Sequence, residues 1–419
     1  MRFSNLADWL LWQESLNPKA IDLGLDRVRQ VWARLAPEPP RFAVVTVAGT
    51  NGKGSSVAML ESILRCAGYS VGAYTSPHLL RYNERVRLEG RDVSDAALVA
   101  AFDAVDRARG DVALTYFEFG TLAALVLFRD AGIDIAVLEV GLGGRLDAVN
   151  IVDADVALVT SIGIDHVDWL GPDRESIGRE KAGIFRAGRP AVCADPEPPA
   201  SVAAYAAQIG ARLYRLGPDF NYGLEAGGWR WDGLGRSRAA LPLPALRGGV
   251  QLQNAAAVLA VLELLAERFP VDQNAVRRGL LELVLPGRFQ VLPGPVEWIL
   301  DVTHNPDGAK VLADNLRQHP CGGRTLAVVG MLEDKDVEGV ARVLGRHVDE
   351  WYAAGLSGSR GMPGGRLAER LRAAGMTMVR PCDDVATACA QAATAASAGD
   401  RVLVFGSFHT VAEAMQARV

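Results

Sequence analysis

The chain has 419 residues, 49% of them hydrophobic and 22% charged, with 44 Lys and Arg against 49 Asp and Glu for a formal net charge of −5. The composition is that of an ordinary globular protein, and the length exceeds what one hydrophobic core usually serves, so two or three domains are expected. The acidic balance argues against nucleic acid as the main partner, and no run approaches the ~18 apolar residues of a membrane-spanning helix.

Five cysteines (Cys66, Cys193, Cys321, Cys382 and Cys389) are odd in number and form no C-x-x-C pair, which fits free thiols in a reducing compartment. The opening segment MRFSNLADWLLWQESLNPKA lacks a long apolar stretch followed by a small-residue cleavage site. The expectation is a soluble, cytoplasmic protein with no membrane partner.

In chain order, AVVTVA (Ala43 to Ala48) is a β-branched run without polar alternation, as expected of a strand buried on both faces. A glycine-rich turn follows it. Then comes SSVAMLESILRCAG, in which Val57, Leu60, Leu64 and Ala67 fall at helical spacing and Gly68 supplies a stop. IAVLEV (Ile135 to Val140), VALVTSI (Val156 to Ile162) and PAVCA (Pro190 to Ala194) are further buried strands; alternating with helical patterns, they predict a P-loop-type α/β domain with a mostly parallel sheet. From about Ala211 to Leu246, short segments rich in Gly, Trp and Tyr, starting at RLYRLG, predict a small antiparallel insertion. A helix then opens at Asn254. The prolines of LVLPGRFQVLPGP mark a linker at about 286–295. It divides a domain of 1–285 from a smaller Rossmann-like α/β domain of 296–419 built on WILDV, LAVVG, EWYAAG, MTMV and RVLVFG.

The strongest chemical signal is VAGTNGKGSS, Val47 to Ser56. A Gly-rich turn between a buried strand and a helix points backbone N–H groups outward, and the helix N-terminus adds partial positive charge, so phosphate oxygens are cradled there. Lys53 can reach the β- and γ-phosphates, and Ser55 is placed for Mg²⁺. The spacing departs from G-x-x-x-x-G-K-[ST], because Gly54 intervenes before Ser55. Glu139 ends one buried strand and His166 follows another, so both belong at the carboxyl edge of a parallel sheet, where ligands bind. With a hydroxyl from Ser76 they make a mixed O/N set suited to a divalent cation. A capping Ser, a solvated Glu and a hydrogen-bonded His are the bland alternative. Lys181 beside such a cation would be repelled; it contacts phosphate, is converted by CO₂ to an anionic carbamate, or is a surface lysine. GLGGRLDAVN has the glycine content of a loop able to fold over a ligand, with Arg145 and Asp147 as polar handles. Phe117 could stack on a flat ring, or pack in the core.

GTNGKGS resembles the phosphate loop of the Mur ligase superfamily, whose members form amide bonds with ATP. TSPHLLRYNERVRLEG, TYFEFGTLAAL, LEVGLGGRLDAVN, TSIGIDHVDWLG, REKAGIFRAGRP, LPGRFQ, DVTHNP and FGSFHTV occur in the order found in one branch. That branch is the folylpolyglutamate synthase family, in its bacterial form with dihydrofolate synthase activity. The resemblance covers nearly the whole chain. It implies ATP and Mg²⁺ as cofactors, with K⁺ as a further candidate cation, and dihydropteroate, reduced folates and L-glutamate as substrates.

Carried over position by position, it places ATP at Gly49, Thr50, Asn51, Gly52, Lys53, Gly54, Ser55, Asn254, Arg288 and Asp301. It places the metal at Ser55, Ser76, Glu139, His166 and a carbamylated Lys181. It lines the pteroate pocket with Thr115, Tyr116, Phe117, Glu118, Leu146, Asp147 and Ala148, and with Asp22, for which capping of a helix start is an equal account. His304 and Ser407 fall on the glutamate side, and Lys53, His166, Lys181 and Arg288 take the catalytic roles. The implied reaction runs through an acyl phosphate, with closure across the linker excluding water and a monomer as the working form. The rivals are a cell-wall Mur ligase, disfavoured by SPHLLRYNERV and by the lack of a clear third N-terminal domain, and a folylpolyglutamate synthase without dihydrofolate synthase activity. A GTPase or kinase switch finds no matching signature. A non-catalytic ATP-binding regulator would turn ATP over indifferently to acceptor and glutamate.

Overall fold

Apolar runs ended by glycine or a polar turn become the inner strands of two sheets. The computed structural model of the chain describes residues 2–17, 19, 21–358 and 360–417. It divides into two compact units, Met1–Ala245 with Gln251–Leu283, and Leu246–Val250 with Val284–Val419.

The first unit holds β1 (Ala43–Ala48), β2 (Val71–Tyr74), β3 (Val86–Leu88), β4 (Arg91–Asp92), β5 (Ile135–Glu139), β6 (Val156–Val159), β7 (Pro190–Cys193) and β8 (Arg212–Arg215). They form one sheet in the order β4-β3-β2-β5-β1-β6-β7-β8. Along the sheet every pairing from β2 across to β8 is parallel, and only β3 is reversed, pairing antiparallel with both β2 and β4. Strands β1, β5, β6 and β7 are buried throughout, which is why their sequences lack alternation. From β1 the chain leaves toward β2, and later crosses β1 from β5 to β6. The carboxyl ends of β5, β1 and β6 therefore lie side by side at a change in strand order, where open α/β sheets bind ligands. On one face, the helices Leu6–Leu16, Asp95–Arg109 and Tyr116–Ala131 pack together around Trp9, Phe102 and Phe119, whose rings meet edge-on or tilted.

Two local expectations are corrected. RLYRLG does not begin the antiparallel insertion: it forms β8, which pairs parallel with β7 after the helix Ala200–Ile209 and the left-handed stop at Gly210. The insertion proper is the antiparallel meander of β9 (Phe220–Glu225), β10 (Gly228–Gly233) and β11 (Arg236–Leu241). Asn254 does not open its helix, which runs Gly249–Leu265. The meander fastens that helix: Trp231 is fully buried and its indole N–H donates to the Ala256 carbonyl at 2.9 Å.

The second unit holds β12 (Gln290–Leu292), β13 (Glu297–Asp301), β14 (Thr325–Val329), β15 (Glu350–Ala354), β16 (Val379–Cys382) and β17 (Arg401–Phe405), in the order β12-β13-β17-β14-β15-β16. All but β12 are parallel. The stretch expected as a linker thus contains an edge strand, β12, of the second sheet. The strand expected at MTMV begins only at Val379. Ile299, Leu312, Val329, Leu403 and Phe405 are among the core of this unit. Among the described residues no helix is long and apolar enough to cross a membrane.

Candidate active site

The glycine-rich turn lies between β1 and the helix Lys53–Cys66, at the carboxyl edge of the first sheet. Its neighbour after β6 holds it in shape. The Thr50 N–H donates to the Ser161 carbonyl at 2.7 Å, and the Thr160 hydroxyl donates to the Asn51 carbonyl at 2.6 Å. Ser161 Oγ accepts from the Asn51 N–H and donates to the Asn51 carbonyl, both at 3.0 Å. The Thr50 hydroxyl bonds to Gly163 through both its donor and its acceptor. Close packing explains the glycines. A Cβ at Gly49 would stand 1.9 Å from Thr160 Oγ1, and one at Gly52, where φ is +86°, 2.7 Å from Asn254 Oδ1. The fold therefore sets Asn254 against the turn from two hundred residues away. Lys53 Nζ folds back to donate to the carbonyls of Gly49 and Thr50 at 3.0 and 3.3 Å, and Ser55 is buried in the first turn of the helix.

Ser55, Ser76, Glu139 and His166, expected as cation ligands, lie at or after the carboxyl ends of β1, β2, β5 and β6. Register pairs Val47 with Glu139, so the Glu139 carboxylate emerges level with the end of β1. The Ser76 N–H donates to Glu139 Oε2 at 3.3 Å, so these two are brought together. His166 caps the short helix Val167–Leu170 with φ 54° and ψ 41°, a left-handed conformation uncommon for a residue other than glycine. Lys181 is 3% exposed. Burial, and then the Lys53 charge, push its amine down to about 7, opposed by Asp165. Among the described residues no three His, Cys, Asp or Glu come together as a metal cage. The donors present are a carboxylate, an imidazole and hydroxyls beside a phosphate cradle. That set fits Mg²⁺, which takes few protein ligands and completes its shell with phosphate oxygens and water.

The loop 141–147 is more tightly held than its glycines suggest. Asp147 Oδ2 accepts from the Leu142 N–H at 2.9 Å and Oδ1 from the Val149 N–H at 3.0 Å, closing the loop on itself. Burial pushes Asp147 up to about 7, against those backbone donors and, more weakly, Lys53. Arg145 is engaged with Glu180, Nη2 to Oε1 at 2.8 Å. Gly144 lies on the Lys181 backbone, where a Cβ would meet the Lys181 carbonyl at 2.9 Å. Both expected handles thus serve the loop's own shape and its seat on the helix Arg174–Ala182, leaving the rims of Leu146 and Ala148 beside them.

Thr115 and Glu118 cap their helix reciprocally, with the Thr115 N–H donating to Glu118 Oε2 at 2.8 Å. Phe117 is half-buried: the tip of its ring meets Gly141, where a Cβ would be 2.7 Å from Cζ, and the ring stands 5.8 Å from Tyr74. Tyr116 meets the Tyr82 ring edge-on at 5.7 Å, with the Arg85 guanidinium above both. Asp22 does not cap a helix; the cap position before Asp26–Leu35 is Leu25. Instead Arg27 joins Asp22 (2.8 Å) to Glu118 (3.0 Å), which brings two expected pocket residues together through a cation that no sequence motif marks.

In the second unit, the Asp301 carboxylate accepts from the N–H groups of Phe289 (2.8 Å) and Thr303 (2.9 Å), bracing the turn that carries Arg288. The Arg288 guanidinium lies 5.2 Å over the Phe408 ring. His304 Nδ1 is 2.9 Å from the Val302 carbonyl. Ser407 Oγ accepts from the Thr410 N–H at 3.0 Å, capping the helix Phe408–Ala417. Thr160, Ser161, Asp165 and Arg27 were not singled out from sequence. For the first three the available signal was position: polar residues directly after a buried strand whose neighbour carries the phosphate turn.

Comparison with known proteins shows the family. Residues 47–219 match the family model "Mur ligase middle domain", and residues 287–408 match "Mur ligase, glutamate ligase domain". The dihydrofolate synthase/folylpolyglutamate synthase of Escherichia coli is 50% identical over 413 residues, 99% of this chain and 95% of that one. The solved E. coli FolC in complex with DHPP and ADP superposes with a TM-score of 0.94 at 50% identity, covering 99% of this chain and 98% of that chain. A bifunctional folylpolyglutamate synthase/dihydrofolate synthase with Mn, AMPPNP and L-glutamate bound gives 0.92, also at 50% identity and with 99% and 98% covered. The phosphate turn, the strand-end acid and the buried lysine thus sit in a chain that belongs to the dihydrofolate synthase/folylpolyglutamate synthase family of ATP-dependent Mur-type ligases.

Proposed function

We propose that this enzyme joins L-glutamate to dihydropteroate, giving dihydrofolate, and to the γ-carboxylate of reduced folates, extending a polyglutamate tail. The observation that carries the reading is the turn Gly49–Ser55, braced by Thr160 and Ser161 and flanked by Glu139, Asp147 and Lys181. A carboxylate is a poor acyl donor at neutral pH, so the acceptor acid first attacks the γ-phosphorus of ATP in line; ADP departs and an acyl phosphate forms. The glutamate amine then adds to the acyl carbon, loses a proton, and expels phosphate as the amide forms. The N–H groups opening the helix Lys53–Cys66 and the Lys53 amine offset charge at the transferring group. Ser55, Ser76, Glu139 and His166 would hold Mg²⁺, which when bound would further neutralise the phosphates.

Lys181 is a buried amine within the field of Lys53, and its depressed pKa supplies the neutral nucleophile that adds CO₂, releasing a proton and leaving an anionic carbamate. That change of sign turns a repelled neighbour of the cation into a partner. Phe117 and the loop closed by Asp147 form the wall assigned to the pterin, with Asp22, Thr115, Tyr116, Glu118, Leu146 and Ala148. Arg288 and Asp301 are assigned to the nucleotide, with the planar guanidinium suited to a phosphoryl group. His304 and Ser407 are assigned to glutamate. A cytoplasmic monomer is the working form that matches this assignment.

ADP release, measured with dihydropteroate and separately with tetrahydrofolate, each with and without L-glutamate, tests the reading. Turnover that needs acceptor and amino acid together is the expected result for both acceptors. Turnover with tetrahydrofolate alone would remove the dihydrofolate synthase half, and turnover indifferent to either substrate would overturn the ligase assignment.

A further inference from the structure

Glu61 and Arg87 form a mostly buried ion pair, 7% and 16% exposed at the side chain, that none of the steps above uses. Glu61 stands about two turns into the helix that follows the phosphate turn, and Arg87 lies on β3. Arg87 Nε and Nη2 both donate to Glu61 Oε2, at 2.9 and 2.7 Å. Its Nη1 donates to Thr75 Oγ1 and to the Glu84 carbonyl, both at 3.3 Å. Glu61 Oε1 is buried with no hydrogen-bond partner.

Replacing such a pair by well-packed apolar side chains is often neutral or stabilising, so stability is a weak reason for its presence. Its geometry gives a stronger one. Thr75 immediately precedes Ser76, whose N–H donates to Glu139. The Glu84 carboxylate gathers the N–H groups of Leu79, Leu80 and Arg81 at 2.7, 2.8 and 2.7 Å, so the segment from Thr75 to Glu84 is a closed knot with Arg87 at its base. Burial works against the Arg87 charge, but Glu61, and then Asp92 and Glu139, outweigh it and hold the guanidinium above its ordinary pKa. A fixed positive charge is thus tied to the phosphate-turn helix, to the residue before Ser76, and electrostatically to Glu139.

We infer that Arg87 and Glu61 are positioning residues: they register Ser76 and Glu139 against the phosphate turn and thereby raise affinity for a divalent cation–nucleotide complex. The inference rests on the assignment of Ser76 and Glu139 to the cation. Partners that orient metal ligands typically change affinity about 10- to 100-fold when removed.

Calorimetric titration with Mn·AMPPNP, and with AMPPNP in EDTA, tests it on the full chain. The double variant Arg87→Met/Glu61→Leu leaves no buried charge behind, and Thr75→Val removes only the hydroxyl that Arg87 grips. Each is checked by thermal melting, and Thr75→Val keeps the test open should the double variant melt early. The expected result is Mn·AMPPNP affinity weakened about tenfold in the double variant and severalfold in Thr75→Val, with metal-free AMPPNP affinity unchanged. Wild-type Mn·AMPPNP affinity in a folded double variant, or equal losses with and without metal, overturns the inference. Glu139→Gln separates the two readings. If it weakens Mn·AMPPNP binding while the Arg87 and Thr75 variants do not, the positioning role alone falls; if it too binds as the wild type, the cation assignment falls with it.

Discussion

Lys181 offers a sharp physical test because its burial opposes stability while its assigned chemistry requires it. The amine is 3% exposed, and burial together with the nearby Lys53 lowers its pKa from 10.5 to about 7. In the unfolded chain the same amine holds its proton up to the ordinary value. Between those limits the unfolded state binds more protons than the folded one, so this residue makes stability rise with pH, at about 1.4 kcal/mol per unit. Below the folded value both states are protonated and the dependence ends. Across the whole window the effect has an upper bound of about 5 kcal/mol.

Lys181→Met removes the titration while filling similar space. Its stability relative to wild type should therefore be greatest near pH 7 and shrink by roughly 2–3 kcal/mol between pH 7.5 and 9.5, read from denaturant unfolding in bicarbonate-free buffer. Groups common to both proteins cancel in the difference. Added bicarbonate should stabilise wild type and leave Lys181→Met unchanged, because only the wild type can form a carbamate in the folded state. ADP release by Lys181→Met should fall at least about a hundredfold, equivalent to about 2.7 kcal/mol of lost transition-state stabilisation. Parallel pH profiles of stability for the two proteins would refute the buried-amine argument. Unaltered turnover would refute the role assigned to it.

Gly49→Ala should weaken ADP binding at least about tenfold (1.4 kcal/mol) in calorimetry, because its Cβ would fall 1.9 Å from Thr160 Oγ1 and force the phosphate turn off its brace; wild-type affinity would show that the brace is dispensable. His166→Gly should gain about 1 kcal/mol of folding stability by relieving the left-handed φ of 54°, while ADP release drops; a variant that is both less stable and fully active would contradict the cation role. Asp147, pushed up to about 7, ionises as pH rises through neutrality, and on its assignment to the pterin wall the lone pairs not used by Leu142 and Val149 would accept from pterin N–H donors. The KM for dihydropteroate should thus fall as pH rises through 7, and the step should vanish in Asp147→Asn; a step retained in that variant assigns it to another group. Ser161→Ala, which loses both bonds to Asn51, should raise the KM for ATP severalfold and leave that for dihydropteroate unchanged, and equal shifts in both would point to general unfolding.

Where placement depended on local order, the sequence was sufficient. AVVTVA is buried on both faces and ends in glycines, so the phosphate turn could be placed before any contact was known, and Glu139 and His166 followed from the rule that parallel strands present ligands at their carboxyl ends. What stayed hidden was whatever depended on one side chain choosing among several partners. A glycine-rich loop with Arg145 and Asp147 looks free to close over a ligand, yet each finds a partner within reach of its own backbone or helix, because an unpaired buried carboxylate would be costly. Asn254 lies inside a helix whose start is blurred by Gly248 and Gly249, and only the packing of that helix reveals that it fills the space above Gly52. The same holds for Arg87 and Glu61: each is ordinary on its own element, one on a strand near the sheet edge and one on a helix, and their meaning arises from a pairing across 26 residues that also catches Thr75. Strand ends and turns carry the chemistry in one dimension. The hydrogen bonds that hold that chemistry in register are properties of the folded chain, and substitutions there would be expected to alter metal and nucleotide affinity before they alter the fold.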